Sequence, residues 1–179
     1  MSDHRHDDPP SPFVVRWSTD LVVSLPPRRR ALDVAMGRGR HAHLLADAGY
    51  SVFGVDWQID AVRAAAARTR PGRLHSWVAD LTSHPLPRET FELIVVSRYL
   101  QRDLFPAIAA ALVPGGAVVY ETFTTRQRAL GWGPKSPDHL LEPGELQMRL
   151  RRDAGLIELF SEETAAPEAV ARFVGRRPA

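Results

Sequence analysis

With 179 residues, 44% of them hydrophobic, the chain is long enough for one domain with a substantial core and too short for a cofactor domain plus a separate substrate domain. Its formal net charge is only +2, so a pI near 9.5 reflects arginine richness more than a strong positive field, and nucleic acid is disfavoured as a partner. The absence of cysteine excludes disulfides, thiolate metal sites and thiol nucleophiles, and it suits a cytoplasmic setting.

The first residues, "MSDHRHDDPPSP", are polar and Pro-rich, without the apolar core of a secretion signal. Residues 1–12 read as a flexible tail and residues 13–179 as one domain. His4 and His6 could pair on a metal, but a frayed terminus explains them more simply, and no metal site is expected. No apolar run reaches membrane-spanning length, so no membrane partner is expected. "FVVRWSTDLVVSL" suits a short helix stopped by Pro26 and Pro27. "RALDVAM" is a short apolar run ending in glycines, the mark of a buried strand. "RHAHLLADAGY" then places Ala42, Leu45, Ala46 and Tyr50 on one helical face, with Gly49 near its stop.

The alternation continues with "SVFGVD" as a strand, "WQIDAVRAAAARTR" as a helix and "LHSWVADL" as a third strand. "FELIVVSRYL" is almost continuously apolar, as a parallel strand covered on both faces should be. "RDLFPAIAAAL" is a helix with Pro106 tolerated in its first turn. "VPGG" reads as a turn before the strand "AVVYETF". Residues 124–143, rich in Gly and Pro, form a connection long enough to cover a substrate. "GELQMRLRRDAG" restores a helix, and "LIELFSEET" and "EAVARFVGRR" are two strands with no room for a crossover between them. They must pair antiparallel. The whole is an α/β, Rossmann-like, doubly wound and mainly parallel seven-stranded sheet ending in an antiparallel β-hairpin, with ligands at the carboxyl ends of its strands.

Gly37, Gly39 and Ala42 satisfy the dinucleotide pattern G-x-G-x-x-G/A, and Asp56 follows at about the distance expected of a ribose-binding acid. That pattern alone allows NAD. Asp33, just ahead of the glycines, would repel a pyrophosphate and argues against it. The turn "DVAMGRG", Asp56 closing the second strand, "VADL" closing the third, "FELIVVSRYL", "LVPGG" and the terminal hairpin together resemble class I S-adenosylmethionine-dependent methyltransferases over nearly the entire chain. Within that group, "RGRHAHLLADAGYSVFGVD" and "YETFT" resemble the small tellurite-resistance-type methyltransferases and their uncharacterised bacterial relatives. One departure stands out, since Ala35 occupies the place of the first glycine of the acid-x-Gly-x-Gly-x-Gly motif.

The resemblance implies S-adenosyl-L-methionine as cofactor. Main chain bared at Ala35, Gly37 and Gly39 would approach it, and Asp33 would orient the turn or meet its ammonium. Asp56 would accept from both ribose hydroxyls, with capping of the next helix as its alternative. Asp80 and the Leu81 amide would read the adenine, with Trp57 and Leu81 as its walls. Trp57 suits core packing equally. Ser97 lies where the fourth strand ends, and Arg16 could reach the cofactor carboxylate from the first helix.

Methyl transfer from a sulfonium needs alignment, exclusion of water and, for some acceptors, removal of a proton, so no catalytic residue is assigned. Substrate candidates are Arg98, Tyr99, Arg102, Glu121 and His139, with Thr122, Trp132 and Glu142 nearby. Arg98 with Arg102 would hold an oxyanion; Glu121 would hold an amine or act as a base. A small soluble molecule is the expected substrate, and homo-oligomerisation is left open. The competing readings are an NAD-dependent reductase and a non-catalytic S-adenosylmethionine-binding protein.

Overall fold

The computed structural model describes residues 8–179. Among the described residues five α-helices are present, α1 (Pro12–Asp20), α2 (Arg40–Asp47), α3 (Ile59–Ala67), α4 (Phe105–Ala111) and α5 (Glu145–Arg152). Seven strands accompany them, β1 (Arg30–Val34), β2 (Ser51–Asp56), β3 (Leu74–Val78), β4 (Phe91–Ser97), β5 (Leu112–Phe123), β6 (Ile157–Glu163) and β7 (Val170–Arg176). They form one sheet in the order β3-β2-β1-β4-β5-β7-β6. The first five are mutually parallel, while β7 runs antiparallel to both β5 and β6.

The two-residue period of the strands sorts the core into two layers. Leu93 and Val95 of β4 and Ala117 and Val119 of β5 face α1 and α2, meeting Phe13, Val14, Leu45 and Tyr50. Ile94, Val96, Val118 and Tyr120 face the opposite way, onto Phe105 and Ile108 of α4 and Leu146 and Leu150 of α5. The continuous apolar run of β4 is thus consumed on both faces, and its first six residues are buried.

One local expectation changes. "VPGG" is not a turn preceding β5: the strand begins at Leu112 and carries this stretch as an irregularity opposite Phe91 and Leu93. Gly116 permits it, because a Cβ there would lie 3.0 Å from the carbonyl oxygens of Phe91 and Val113. The connection 124–143 carries structure of its own. It holds two short 3-10 turns, Thr125–Leu130 and Pro137–His139, and returns to the sheet through a parallel bridge between Thr124 and Leu141.

Candidate functional site

Strand order reverses between β1 and β4, which opens a crevice at their carboxyl ends. The chain leaves β1 through a turn with Ala35 at φ +52°, Gly37 at +55° and Gly39 at +81°. The two glycines serve different ends. A Cβ on Gly37 would meet nothing within 4 Å, so the main chain there is bare to the crevice; one on Gly39 would lie 2.9 Å from Ala65 Cβ, so Gly39 lets α2 start against α3. Ala35 takes the left-handed conformation without a glycine's freedom, at a cost of about 1 kcal/mol.

Two carboxylates support this turn. Asp56, 8% exposed, accepts the Gly37 N–H at 2.8 Å on Oδ2 and the Gln58 N–H at 2.9 Å on Oδ1. It therefore ties the glycine turn to the start of α3, and each oxygen keeps a further lone pair. Asp33 is 1% exposed and its Oδ2 has no hydrogen-bond partner. Burial pushes its pKa up to about 7 against the smaller lowering effects of the Ala42 amide and the Arg40 charge.

A carboxyl raised this way favours the protonated folded state between the ordinary value of 3.8 and about 7. Its contribution to stability is full below 3.8 and is lost as pH rises through about 7. Asp33→Asn is therefore expected to gain on the native protein between pH 5 and pH 8, by about 2.7 kcal/mol at most. Urea midpoints of the two proteins at both pH values measure this, and a constant difference would mean that Asp33 stays ionised.

Two adjoining cavities share Ala35, Trp57 and Tyr99. The smaller, about 240 Å³, is walled by Val55, Asp56, Ala79, Asp80 and Leu81 besides those three. Asp80 Oδ1 there accepts both the Thr82 amide and its hydroxyl, at 2.9 and 2.7 Å, which hold its pKa below the ordinary value. Trp57 is 69% exposed, which removes the core-packing alternative. The larger cavity, about 1040 Å³, brings together Gly37, Ser97, Arg98, Glu121 and His139, with Tyr99 on the boundary and Trp132 on its wall.

Asp33 and Gly39 lie beneath the turn and do not form part of either wall. Two arginines are elsewhere. Arg16 is on the exposed side of α1, 3.5 Å from Asp20 and stacked 5.2 Å from the Trp17 ring, because the i,i+4 partner and the neighbouring indole capture it. Arg102 does not join Arg98: Glu145 of α5 grips it at 2.6 and 2.9 Å, and it donates to the Leu140 carbonyl. Thr122 and Glu142 also lie outside the cavity walls.

Several wall residues carry no signal in local sequence. Arg40, the first residue of α2, donates to the Pro9 carbonyl at 3.2 Å and to Ser97 Oγ at 3.3 Å. Among the described residues it makes no ion pair, and burial and the Arg98 charge lower its pKa. Its neighbour His41 accepts the Ser11 N–H at 3.0 Å, and burial holds its pKa down to about 3, so it is a neutral anchor. These contacts lay residues 8–12, assigned with the tail from sequence, along the larger cavity. Arg172 arrives by register: β7 sets it opposite Glu121, 3.2 Å from its carboxylate. Only the register of the hairpin reveals that pairing.

Residues 31–116 match a family described as a methyltransferase domain. The chain has the fold of class I S-adenosylmethionine-dependent methyltransferases. An S-adenosylmethionine-dependent methyltransferase from Mesorhizobium loti superposes with a TM-score of 0.72 at 21% identity, covering 91% of this chain and 98% of the other. A TehB-like S-adenosylmethionine-dependent methyltransferase from Corynebacterium glutamicum gives a TM-score of 0.68 at 18% identity, covering 92% and 87%. At these identities the superpositions establish the methyltransferase fold.

In sequence, the demethylmenaquinone methyltransferase of Renibacterium salmoninarum is 30% identical over 116 residues, 61% of this chain and 48% of that protein. The chain thus spans about half the length of this curated relative. No helix of the described residues is long and apolar enough to cross a membrane.

Proposed function

We propose that this chain binds S-adenosyl-L-methionine across the two cavities and catalyses transfer of its methyl group to a small molecule in the larger one. The observation that carries the reading is the bare main chain at Gly37, held by Asp56 and lining the larger cavity. The residues fit the cofactor chemically. The smaller cavity, with Asp56 and Asp80 on its rim and Trp57 and Leu81 on its walls, suits an adenosine. Asp33, outside both walls, is left the role of orienting the turn, and Arg40, without an ion-pair partner among the described residues, replaces Arg16 as the group for the carboxylate end.

When bound, the cofactor supplies a methyl group already activated on a sulfonium. The chain's own tasks are then alignment and exclusion of water. Ala35, Trp57 and Tyr99, common to both cavities, stand at the junction between them. Tyr99 is fixed there by donating to Gln101 Oε1 at 2.6 Å, while Gln101 donates to the Leu81 carbonyl at 3.1 Å. One network thus couples the adenosine wall to the end of β4. Residues 8–12 and the connection 124–143 supply walls that keep water out.

Calorimetry with S-adenosylhomocysteine and NADH on the native protein tests the cofactor. One-to-one binding of the former with no detectable binding of the latter is expected; the reverse order would establish the reductase alternative. Turnover of radiolabelled S-adenosylmethionine over a panel of acceptors then separates an enzyme from a binding protein.

A further inference from the structure

The two candidate arrangements for the acceptor, an arginine pair for an oxyanion and Glu121 for an amine, are no longer equal once the ion pairs are known. Arg102 is committed to Glu145 outside the cavity. Arg98 is shared by Asp8 and Glu168, each at 2.9 Å. Arg172 is likewise shared, by Glu121 at 3.2 Å and Glu162 at 2.7 Å. Each of these two guanidinium groups, at the rim formed by the ends of β4, β5 and β7, faces two carboxylates and is not free for an anion; the cavity's other arginines are Arg38, in the glycine turn, and Arg40. Arg40 adjoins this rim through Ser97, but it stands at the glycine-turn end, where the reading above gives it the cofactor carboxylate.

Glu121 is the carboxylate of this group that is both buried and in the cavity wall, at 5% exposure. Ser97 Oγ donates to its Oε1 at 3.1 Å and Arg172 to its Oε2, which fixes the carboxylate while leaving lone pairs for a further donor. Beside it the wall is apolar and aromatic. Phe123 and Trp132 meet edge-to-face with centroids 6.0 Å apart, and Leu100 lies on the same wall.

We propose that the methyl acceptor is an amine on an apolar body, bound as an ammonium by Glu121 with that body against Phe123 and Trp132. The inference rests on the methyltransferase reading. A sulfonium and an ammonium repel in a shared cavity, and the buried Glu121 carboxylate offsets that repulsion where the ammonium sits; a carboxylate acceptor placed there would meet Glu121 as like charge. Before such a nitrogen can act as a nucleophile its N–H bond must break, leaving the electron pair on nitrogen, with the proton passing to a Glu121 oxygen and on to water.

The test is calorimetric titration of 2-phenylethylamine and of 3-phenylpropionate into protein saturated with S-adenosylhomocysteine, at pH 8 and low salt. The amine is expected to bind at least about tenfold more tightly than the acid. Glu121→Gln is expected to bring the two within about threefold while S-adenosylhomocysteine affinity changes by less than that. An amine that binds no better than the acid overturns the proposal, as does a preference that survives Glu121→Gln. Should that variant fail to fold, Glu168→Gln removes a carboxylate from the rim and is expected to narrow the preference; an unchanged ratio there also counts against it. Binding of S-adenosylhomocysteine to the free protein is read first. A protein that does not take it sinks the methyltransferase reading, whereas one that takes it without preferring the amine sinks this inference alone.

Discussion

Replacing Asp56 with alanine is expected to lower affinity for S-adenosylhomocysteine at least tenfold, about 1.4 kcal/mol, because one side chain serves three partners. Its two oxygens already hold the Gly37 and Gln58 amides, and under the proposed binding mode they also receive the ribose hydroxyls. The substitution removes the acceptor and releases the turn that presents bare main chain to the ligand. Two buried or half-buried amides lose their partner as well, so stability should fall by about 1–3 kcal/mol. Calorimetry gives the first quantity and urea denaturation the second. Asp56→Asn keeps one carbonyl acceptor and should fall between the two proteins on both scales. Unchanged affinity in Asp56→Ala would remove Asp56 from the ligand site and leave it as a tie between the glycine turn and α3.

The largest effect on stability alone is expected at Glu145, far from any reacting group. Its carboxylate is 9% exposed, takes two bonds from Arg102 and one from Arg149 at 3.1 Å, and accepts the Glu142 amide at 3.0 Å. Burial alone would raise its pKa. The Arg102 hydrogen bonds, the Glu142 amide and the neighbouring positive charges outweigh burial and bring it down to about 2. A carboxyl depressed in the folded state contributes stability that is complete above the ordinary value of 4.5 and disappears as pH falls from there through about 2.

The depression corresponds to about 3 kcal/mol, and Glu145→Ala should cost about that much near neutral pH, since it strands Arg102 beside the Leu140 carbonyl without its counter-charge. Glu145→Gln, which keeps the shape, should lose less at pH 7 and should flatten the acid limb of the stability profile between pH 5 and pH 2. Thermal or urea unfolding across that range tests both variants. A wild-type acid limb retained in Glu145→Gln would assign it to other carboxylates. The site itself would feel the change, because Arg102 and Glu145 pin the end of the 124–143 connection that carries Trp132 and His139 into the cavity wall.

Arg102 also marks where sequence reasoning stops. From spacing, it and Arg98 look like a pair, since both follow β4 within a few residues. In the folded chain they face different partners, Glu145 from α5 for one and Asp8 with Glu168 for the other. Charge pairing between segments distant in sequence has no periodic signature. Arg16 illustrates the same point from the other side, because a neighbour four residues on and an adjacent indole captured it locally.

The sequence by itself determined the order of strands and helices, the two-sided burial of β4, the antiparallel close and the glycine turn with Asp33 and Asp56 around it. All of these follow from local periodicity, chain length and the steric demands of single residues, which act over a few positions. Only the tertiary structure decided that Gly37 is bare while Gly39 packs, that β7 lays Arg172 against Glu121, and that residues 8–12 join the cavity wall. Those facts depend on which remote surfaces meet, and a contact between distant segments is fixed by the packing of the whole domain rather than by any stretch of chain that contributes to it.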